Sequence, residues 1–466
     1  MTASLSHTDI AERLRAPLVR DLGTSGAIES LRRLSGGANM ESWSFDCDGQ
    51  GFVLRRAPSE AFMQGRSYSH DVEARLIRAA RAAGVRAPEV VAELQPEDGL
   101  GTGFVMRRVE AEVNPATILA APAPSLLADL ARELAGIHRV PLDAVDGVPR
   151  SDAATMLAQL QLQFEEFGAD RPILALALHW LHAHLPEPCE PTLVHGDFRM
   201  GNVMADGEGL AAVLDWELSH IGDPHEDLAF GCMTVWRFGH IDKPAYGLGQ
   251  FEEYFAAYEA ASGRSVDRQR FHYWLVLRTL WWALGCIRMG TRWRSGADRS
   301  LERVVIGRRT AENELDLLTL LEDEAPEVER ELQLPPAAPD KASPQGEPSA
   351  AEIVTAVAEW LEAEIKPRMS GHDKFQTVVA LNALGMVRRE LARPAVVEDH
   401  ALAQDLLSGK ATLATPGLLA HLRRTVLDKL SNDVPKYAAL KRAQARWPGA
   451  MCPTQALLGQ MGKALH

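Results

Sequence analysis

His195-Gly196-Asp197-Phe198-Arg199-Met200-Gly201-Asn202, followed by Val213-Leu214-Asp215-Trp216-Glu217, reads as a short loop set between small apolar runs. Thr192-Leu193-Val194 precedes the first piece, and Ala212-Val213-Leu214 leads into Asp215. A lone His-Gly-Asp is common in turns. Asp197, Asn202 and Asp215 spaced between β-type flanks form a much rarer constellation. The short loop puts Asp197 and Asn202 at one mouth. Pairing of Leu193-Val194 with Val213-Leu214 is expected to bring Asp215 beside them.

Towards the N-terminus the pattern turns to strands. Ala27–Leu34, Ser42–Cys47 and Phe52–Arg55 are separated by glycines and by the turn Asp48-Gly49-Gln50-Gly51, which predicts an antiparallel meander. A helix is expected over Ser69–Ala83, ended by Gly84. Glu89–Glu93 and Gly103–Val109 complete a small sheet. From Ala116 onward apolar residues recur at helical spacing, as in Ser125–His138 and Ser151–Phe167. The fold class is therefore α+β. The expected organisation is an N-terminal helical extension (1–26), a main domain (27–334), a linker (335–349) and an all-helical C-terminal domain (350–466). Within the main domain an N-lobe (27–108) meets a helical C-lobe (113–334) at a hinge near Arg107–Glu112. The linker is rich in Pro, Ala and Ser. In the tail, Ser349 and Glu352 have capping-box spacing, and Ile353, Val357, Trp360, Leu361 and Ile365 share one apolar face. Asp373 is expected to start a second tail helix, and Thr415-Pro416 a further one.

The chain has 466 residues, 46 % hydrophobic and 24 % charged, with a formal net charge of -14. Such a surface disfavours a nucleic acid duplex or an anionic membrane as partner. The five cysteines include no Cys-x-x-Cys pair, which points to a reducing compartment. Met1–Asp21 lacks the apolar core of a signal peptide. Phe271–Gly290 is apolar but broken by Arg278 and Arg288, so a buried helix is expected there. The expected location is cytoplasmic.

Phosphoryl transfer asks little covalent chemistry of a protein. It needs a carboxylate to hold and deprotonate the attacking hydroxyl, and oxygen ligands for Mg²⁺ on the phosphates. Asp197, Asn202 and Asp215 stand in the order and spacing in which kinase loops supply those groups. The stretch resembles the catalytic loop of the aminoglycoside phosphotransferase and choline kinase superfamily. Its continuation through Gly222-Asp223-Pro224 and Glu226-Asp227-Leu228 is similar to the kinase-like relatives linked to acyl-CoA dehydrogenases. The resemblance covers roughly Ile28–Leu321. It implies a protein-kinase-like bilobal fold, with ATP or GTP as donor and Mg²⁺ as cofactor.

The resemblance also implies residue roles. Asp197 would be the catalytic base, with His195 beside it as support for the loop. Asn202 and Asp215 would be the metal ligands. Asp223 and Asp227 would cap and brace the following helix. Gly36, Gly37 and Asn39, in Arg33–Asn39, would cover the phosphates. Arg55 would meet the phosphates, where most kinases carry Lys, and Glu73 would be its ion-pair partner. Met106 to Arg108 would meet the base of the nucleotide.

Other motifs fail on inspection. Ser408-Gly409-Lys410-Ala411 lacks the glycine and the hydroxyl residue of a P-loop, and His225-Glu226 lacks its second metal ligand because Ala occupies 229. His179, His182 and His184 suit an exposed helix face. Arg278, Arg288, Arg292, Arg294, Arg299, Arg303, Arg308 and Arg309 would suit an anionic acceptor if they lined its pocket. The acceptor is therefore expected to be a hydroxylated small molecule, a hydroxy acid or hydroxyacyl-CoA. An aminoglycoside or amino-alcohol kinase and a catalytically silent nucleotide-binding module remain as alternatives. A protein kinase is disfavoured because no Ala-Pro-Glu triplet follows Asp215 at the expected place. The tail is expected to mediate association with a second copy or another protein.

Overall fold

Asp48 and Gly49 adopt positive φ angles of 49° and 72°. That two-residue turn matches the twist of flanking strands. It joins β2 (Glu41–Cys47) to β3 (Gln50–Ala57), with β1 (Glu29–Arg33) on the other side of β2. β4 (Val90–Glu93) and β5 (Thr102–Arg107) complete an antiparallel sheet of order β1-β2-β3-β5-β4. The alternation of β2 and β3 turns Trp43, Phe45, Phe52 and Leu54 to one buried face. Helix α1 (His7–Leu22) covers that face with Ile10, Leu14 and Leu18. Its start is fixed by a reciprocal capping box between Ser6 and Asp9. Helix α2 (His70–Ala82) buries Ala74, Leu76, Ile77 and Ala80, and with them the carboxylate of Glu73. A buried acid on an apolar helix face needs a cation beside it.

The strands around the loop pair differently from the sequence expectation. β6 (Thr192–Val194) pairs with β9 (His220–Gly222), so Leu193 faces Ile221. β7 (Val203–Asp206) pairs with β8 (Gly209–Val213), so Val213 faces Val203. The expected pairing of Leu193-Val194 with Val213-Leu214 is not formed. β7 and β8 are joined by a two-residue turn, and that closure is entropically cheap compared with a longer one. β9 is three residues long, too short to leave a periodic signal. Asp215 still reaches the loop, because Leu214 N–H donates to Asn202 O at 2.7 Å.

The computed structural model describes residues 5–34, 40–59, 63, 66–298, 300–337, 350–393 and 396–450. They fall into two units: Met1–Ala153 with Glu187–Phe271, and Ala154–Pro186 with His272–His466. The first holds the sheet and the loop 195–202. The second is helical and includes the tail, so the tail helices share a core with segments 154–186 and 272–334. There Arg423 is buried against Glu322 at 2.6 Å, Trp447 Nε1 donates to the same carboxylate at 2.8 Å, and Lys429 meets Glu314 at 2.9 Å. The helix expected from Thr415-Pro416 starts later, at Leu418, with Gly417 as its cap. Thr415 instead closes a turn, its hydroxyl accepting from Thr412 N–H at 3.0 Å. Ser349, Gly36, Gly37 and Asn39 lie outside the described residues. Among the described residues no helix is long and apolar enough to cross a membrane.

Candidate active site

The loop after β6 is held from below by Asp227. Its carboxylate accepts the backbone N–H of His195 at 2.7 Å and of Gly196 at 2.9 Å, with His138 Nε2 at 3.3 Å. Burial opposes the charge, but the donors around it, His138 first, hold the Asp227 pKa below its ordinary value. Asp227 therefore braces the loop. Asp223 caps the following helix Pro224–Phe230 and pairs with Arg270 at 2.6 Å. Gly196 has φ 79°, and a Cβ there would lie 2.4 Å from Leu218 O. Only glycine fits such a position.

His195 is fully buried, and both ring nitrogens are used by backbone. Nε2 lies 3.1 Å from Leu214 O, and Nδ1 accepts Asp197 N–H at 3.3 Å. Burial lowers its pKa, so the ring is neutral and ties the loop to the residue preceding Asp215. Asp197 Oδ1 accepts Arg199 Nε at 2.8 Å, and Oδ2 accepts Asn202 Nδ2 at 2.5 Å. Its pKa is raised to about 6: burial pushes it up, Arg199 opposes, and the nearby Asp215 carboxylate adds to the rise. Arg199 is steadied by the Trp236 ring, 4.3 Å from its guanidinium carbon.

Asp215 sits in the left-handed region at φ 65°, ψ 65°. For a non-glycine residue that is a strained backbone, of the kind held in place at functional sites. Burial would raise its pKa, but Arg55 at 2.7 Å holds it below the ordinary value. Arg55 also meets Glu217 at 3.0 Å and Glu73 at 3.4 Å. Arg66, which the sequence reading missed, bridges Glu73 at 2.5 Å and Glu217 at 2.7 Å. Glu217, quoted in the motif without a role, is the meeting point of both arginines. Burial raises the Glu73 pKa against the pull of the two guanidinium groups.

Asn202 and Asp215 suit a hard cation. The Asn202 amide nitrogen is occupied by Asp197 O and Oδ2, which leaves its carbonyl oxygen as the group to offer. Two protein oxygens and substrate phosphates are the usual surroundings of Mg²⁺.

Arg108 stands apart from this cluster. Its N–H donates to Gly51 O, and Arg107 N–H to Glu89 O, both at 2.9 Å. The Arg108 side chain pairs with Asp46 at 2.8 Å and Glu110 at 2.5 Å. Met106 lies within β5, opposite Val53 on one side and Val90 on the other. The backbone donors of 107 and 108 are therefore spent inside the lobe, and the segment free of strand pairing begins at Val109. Four of the eight arginines proposed for an anionic pocket are also engaged. Arg303 pairs with Asp298 at 2.6 Å, Arg308 with Asp433 at 3.5 Å, Arg309 with Glu312 at 2.9 Å, and Arg278 stacks on Trp281 at 4.1 Å.

The model of a family described as "Phosphotransferase enzyme family" matches residues 30–264. The chain belongs to this phosphotransferase family. The match contains Arg55, Arg66, Glu73, Asp197, Asn202, Asp215 and Glu217. Among curated relatives, acyl-CoA dehydrogenase family member 10 of Mus musculus is 30 % identical over 272 residues, 51 % of this chain and 24 % of the relative. Acyl-CoA dehydrogenase family member 11 of Gallus gallus is 28 % identical over 283 residues, 54 % of this chain and 35 % of the relative. The chain thus spans about a quarter to a third of the length of these relatives. Among solved structures, a spectinomycin phosphotransferase in complex with ADP and spectinomycin aligns with TM-score 0.46 and 14 % identity, over 66 % of this chain and 98 % of that one. The GDP complex of an aminoglycoside 2'-phosphotransferase aligns with TM-score 0.46 and 16 % identity, over 65 % and 98 %.

Proposed function

We propose that this phosphotransferase moves the γ-phosphate of ATP or GTP to the hydroxyl of a small molecule. The observation that carries this reading is the gathering of Asp197, Asn202 and Asp215 at one loop, with Arg55 on the Asp215 carboxylate. Asp197 keeps accepting capacity on both oxygens beyond the Arg199 and Asn202 bonds. It would accept the hydroxyl proton of the acceptor as the oxygen attacks phosphorus and the bond to the β-phosphate oxygen breaks. Asn202 and Asp215 would hold Mg²⁺, whose charge neutralises the phosphate oxygens. Arg55, released from Asp215, would gather the remaining phosphate charge. The backbone at 109–111 is the segment we assign to the nucleotide base. His195 acts through the loop and is not itself a proton carrier.

For the acceptor we propose a hydroxyacyl-CoA or a related hydroxy acid. Support comes from the relatives, which are named as acyl-CoA dehydrogenases and match this chain over only part of their length. The arginine argument adds little, since Arg303, Arg308 and Arg309 are already paired with carboxylates. The test is nucleotide consumption by purified protein with Mg²⁺ against separate pools of hydroxyacyl-CoAs, hydroxy acids, amino alcohols and aminoglycosides. Turnover confined to the last two pools would overturn the acceptor assignment and leave the phosphotransfer standing.

A further inference from the structure

We propose that Arg66 is a positioning residue that lets Arg55 leave its resting carboxylates when nucleotide binds; the proposal rests on the phosphotransfer reading above. Arg55 Nη2 is 2.7 Å from Asp215 and 3.0 Å from Glu217, and Nε is 3.4 Å from Glu73. To gather phosphate oxygens its guanidinium must give up some of these contacts. Glu73 and Glu217, with side chains 1 % and 20 % exposed, would then lose a cation in surroundings where a carboxylate left alone is costly.

Arg66 stands where it removes that cost. Its own side chain is 7 % exposed, and it binds Glu73 Oε2 and Glu217 Oε2 through separate nitrogens. Glu73 divides its oxygens, Oε1 to Arg55 and Oε2 to Arg66. Departure of Arg55 therefore leaves each of the two acids one guanidinium contact. The same contacts tie α2 to the segment after β8, so Glu73 and Glu217 keep their places while Arg55 moves. Without Arg66, Arg55 would be the one cation shared by three acids in this cluster, and the carboxylates would compete with phosphate for it.

The experiment is calorimetric titration of Mg·ADP into the 466-residue chain, which needs no acceptor. In Arg66→Met the dissociation constant is expected to rise on the order of tenfold or more, as one buried pairing is lost. Arg66→Met combined with Glu217→Gln is expected to recover most of that loss, because one acid fewer then competes for Arg55. A merely structural role for Arg66 would lower thermal stability in both variants and give no recovery. If Arg66→Met fails to fold, the same comparison is made with Arg66→Lys, with and without Glu217→Gln. Wild-type affinity in the Arg66 variant, or a double variant that binds no tighter than the single one, would overturn the proposal while leaving phosphotransfer intact. Absence of Mg·ADP binding by the wild type would instead defeat the phosphotransfer reading, and this inference with it.

Discussion

Asp197 carries the sharpest consequences at the level of single residues. As the proposed general base it must be ionised, and burial raises its pKa to about 6. kcat/KM should therefore fall as pH drops through about 6 and level off above it, which a pH–rate profile measures. Arg199 opposes that rise. Arg199→Ala should shift the acid limb of the profile to higher pH while Asp197→Ala removes roughly a hundredfold to ten-thousandfold of the rate. The order of Asp197, Asn202 and Asp215 was legible in the sequence because local spacing encodes it. Arg66 was not legible. Its partners, Glu73 and Glu217, lie 7 and 151 positions away, and no periodic signal ties an isolated arginine to a distant acid. Nor were the partners of Arg108 legible: its N–H donates to Gly51 O, and Asp46 and Glu110 pair with its side chain, contacts that no local spacing announces.

Among the elements, the loop 195–202 depends on a brace that lies beyond it in sequence. Asp227 takes two of its backbone N–H groups. Asp227→Ala should leave those donors and His138 buried without their acceptor and cost about 3 kcal/mol or more of stability, read by urea denaturation. Gly196→Ala meets Leu218 O and a positive φ together. It should cost at least about 1–2 kcal/mol and reduce turnover at temperatures where the protein is still folded. The β2–β3 hairpin could be read from Asp48-Gly49 because turn chemistry is local. The β6–β9 pairing could not, because three-residue strands give no alternation to count and the partner is chosen by tertiary packing.

For the molecule as a whole, the helix α1 belongs to the sheet's core. Ile10, Leu14 and Leu18 are at most 1 % exposed, against Trp43, Phe45 and Phe52. Burial of three such side chains contributes about 5 kcal/mol, a large share of the stability of an ordinary domain. Removal of residues 1–22 should therefore lower the melting temperature sharply or abolish folding, as followed by circular dichroism. The tail's helical character was legible from its apolar spacing. That its helices share a core with 154–186 and 272–334 was not, since the contacts pair Arg423 with Glu322 and Lys429 with Glu314, more than a hundred positions apart.

The central claim, transfer of a nucleotide γ-phosphate by the cluster around Asp197, is tested most directly by Mg²⁺-dependent nucleotide consumption with pooled acceptors. Wild type and Asp197→Ala should be run side by side, with Mg·nucleotide affinity measured on both. The account predicts acceptor-dependent turnover in the wild type, loss of that turnover in Asp197→Ala, and nearly unchanged nucleotide affinity. Turnover at the same rate in Asp197→Ala, or no nucleotide binding by either protein, would contradict it.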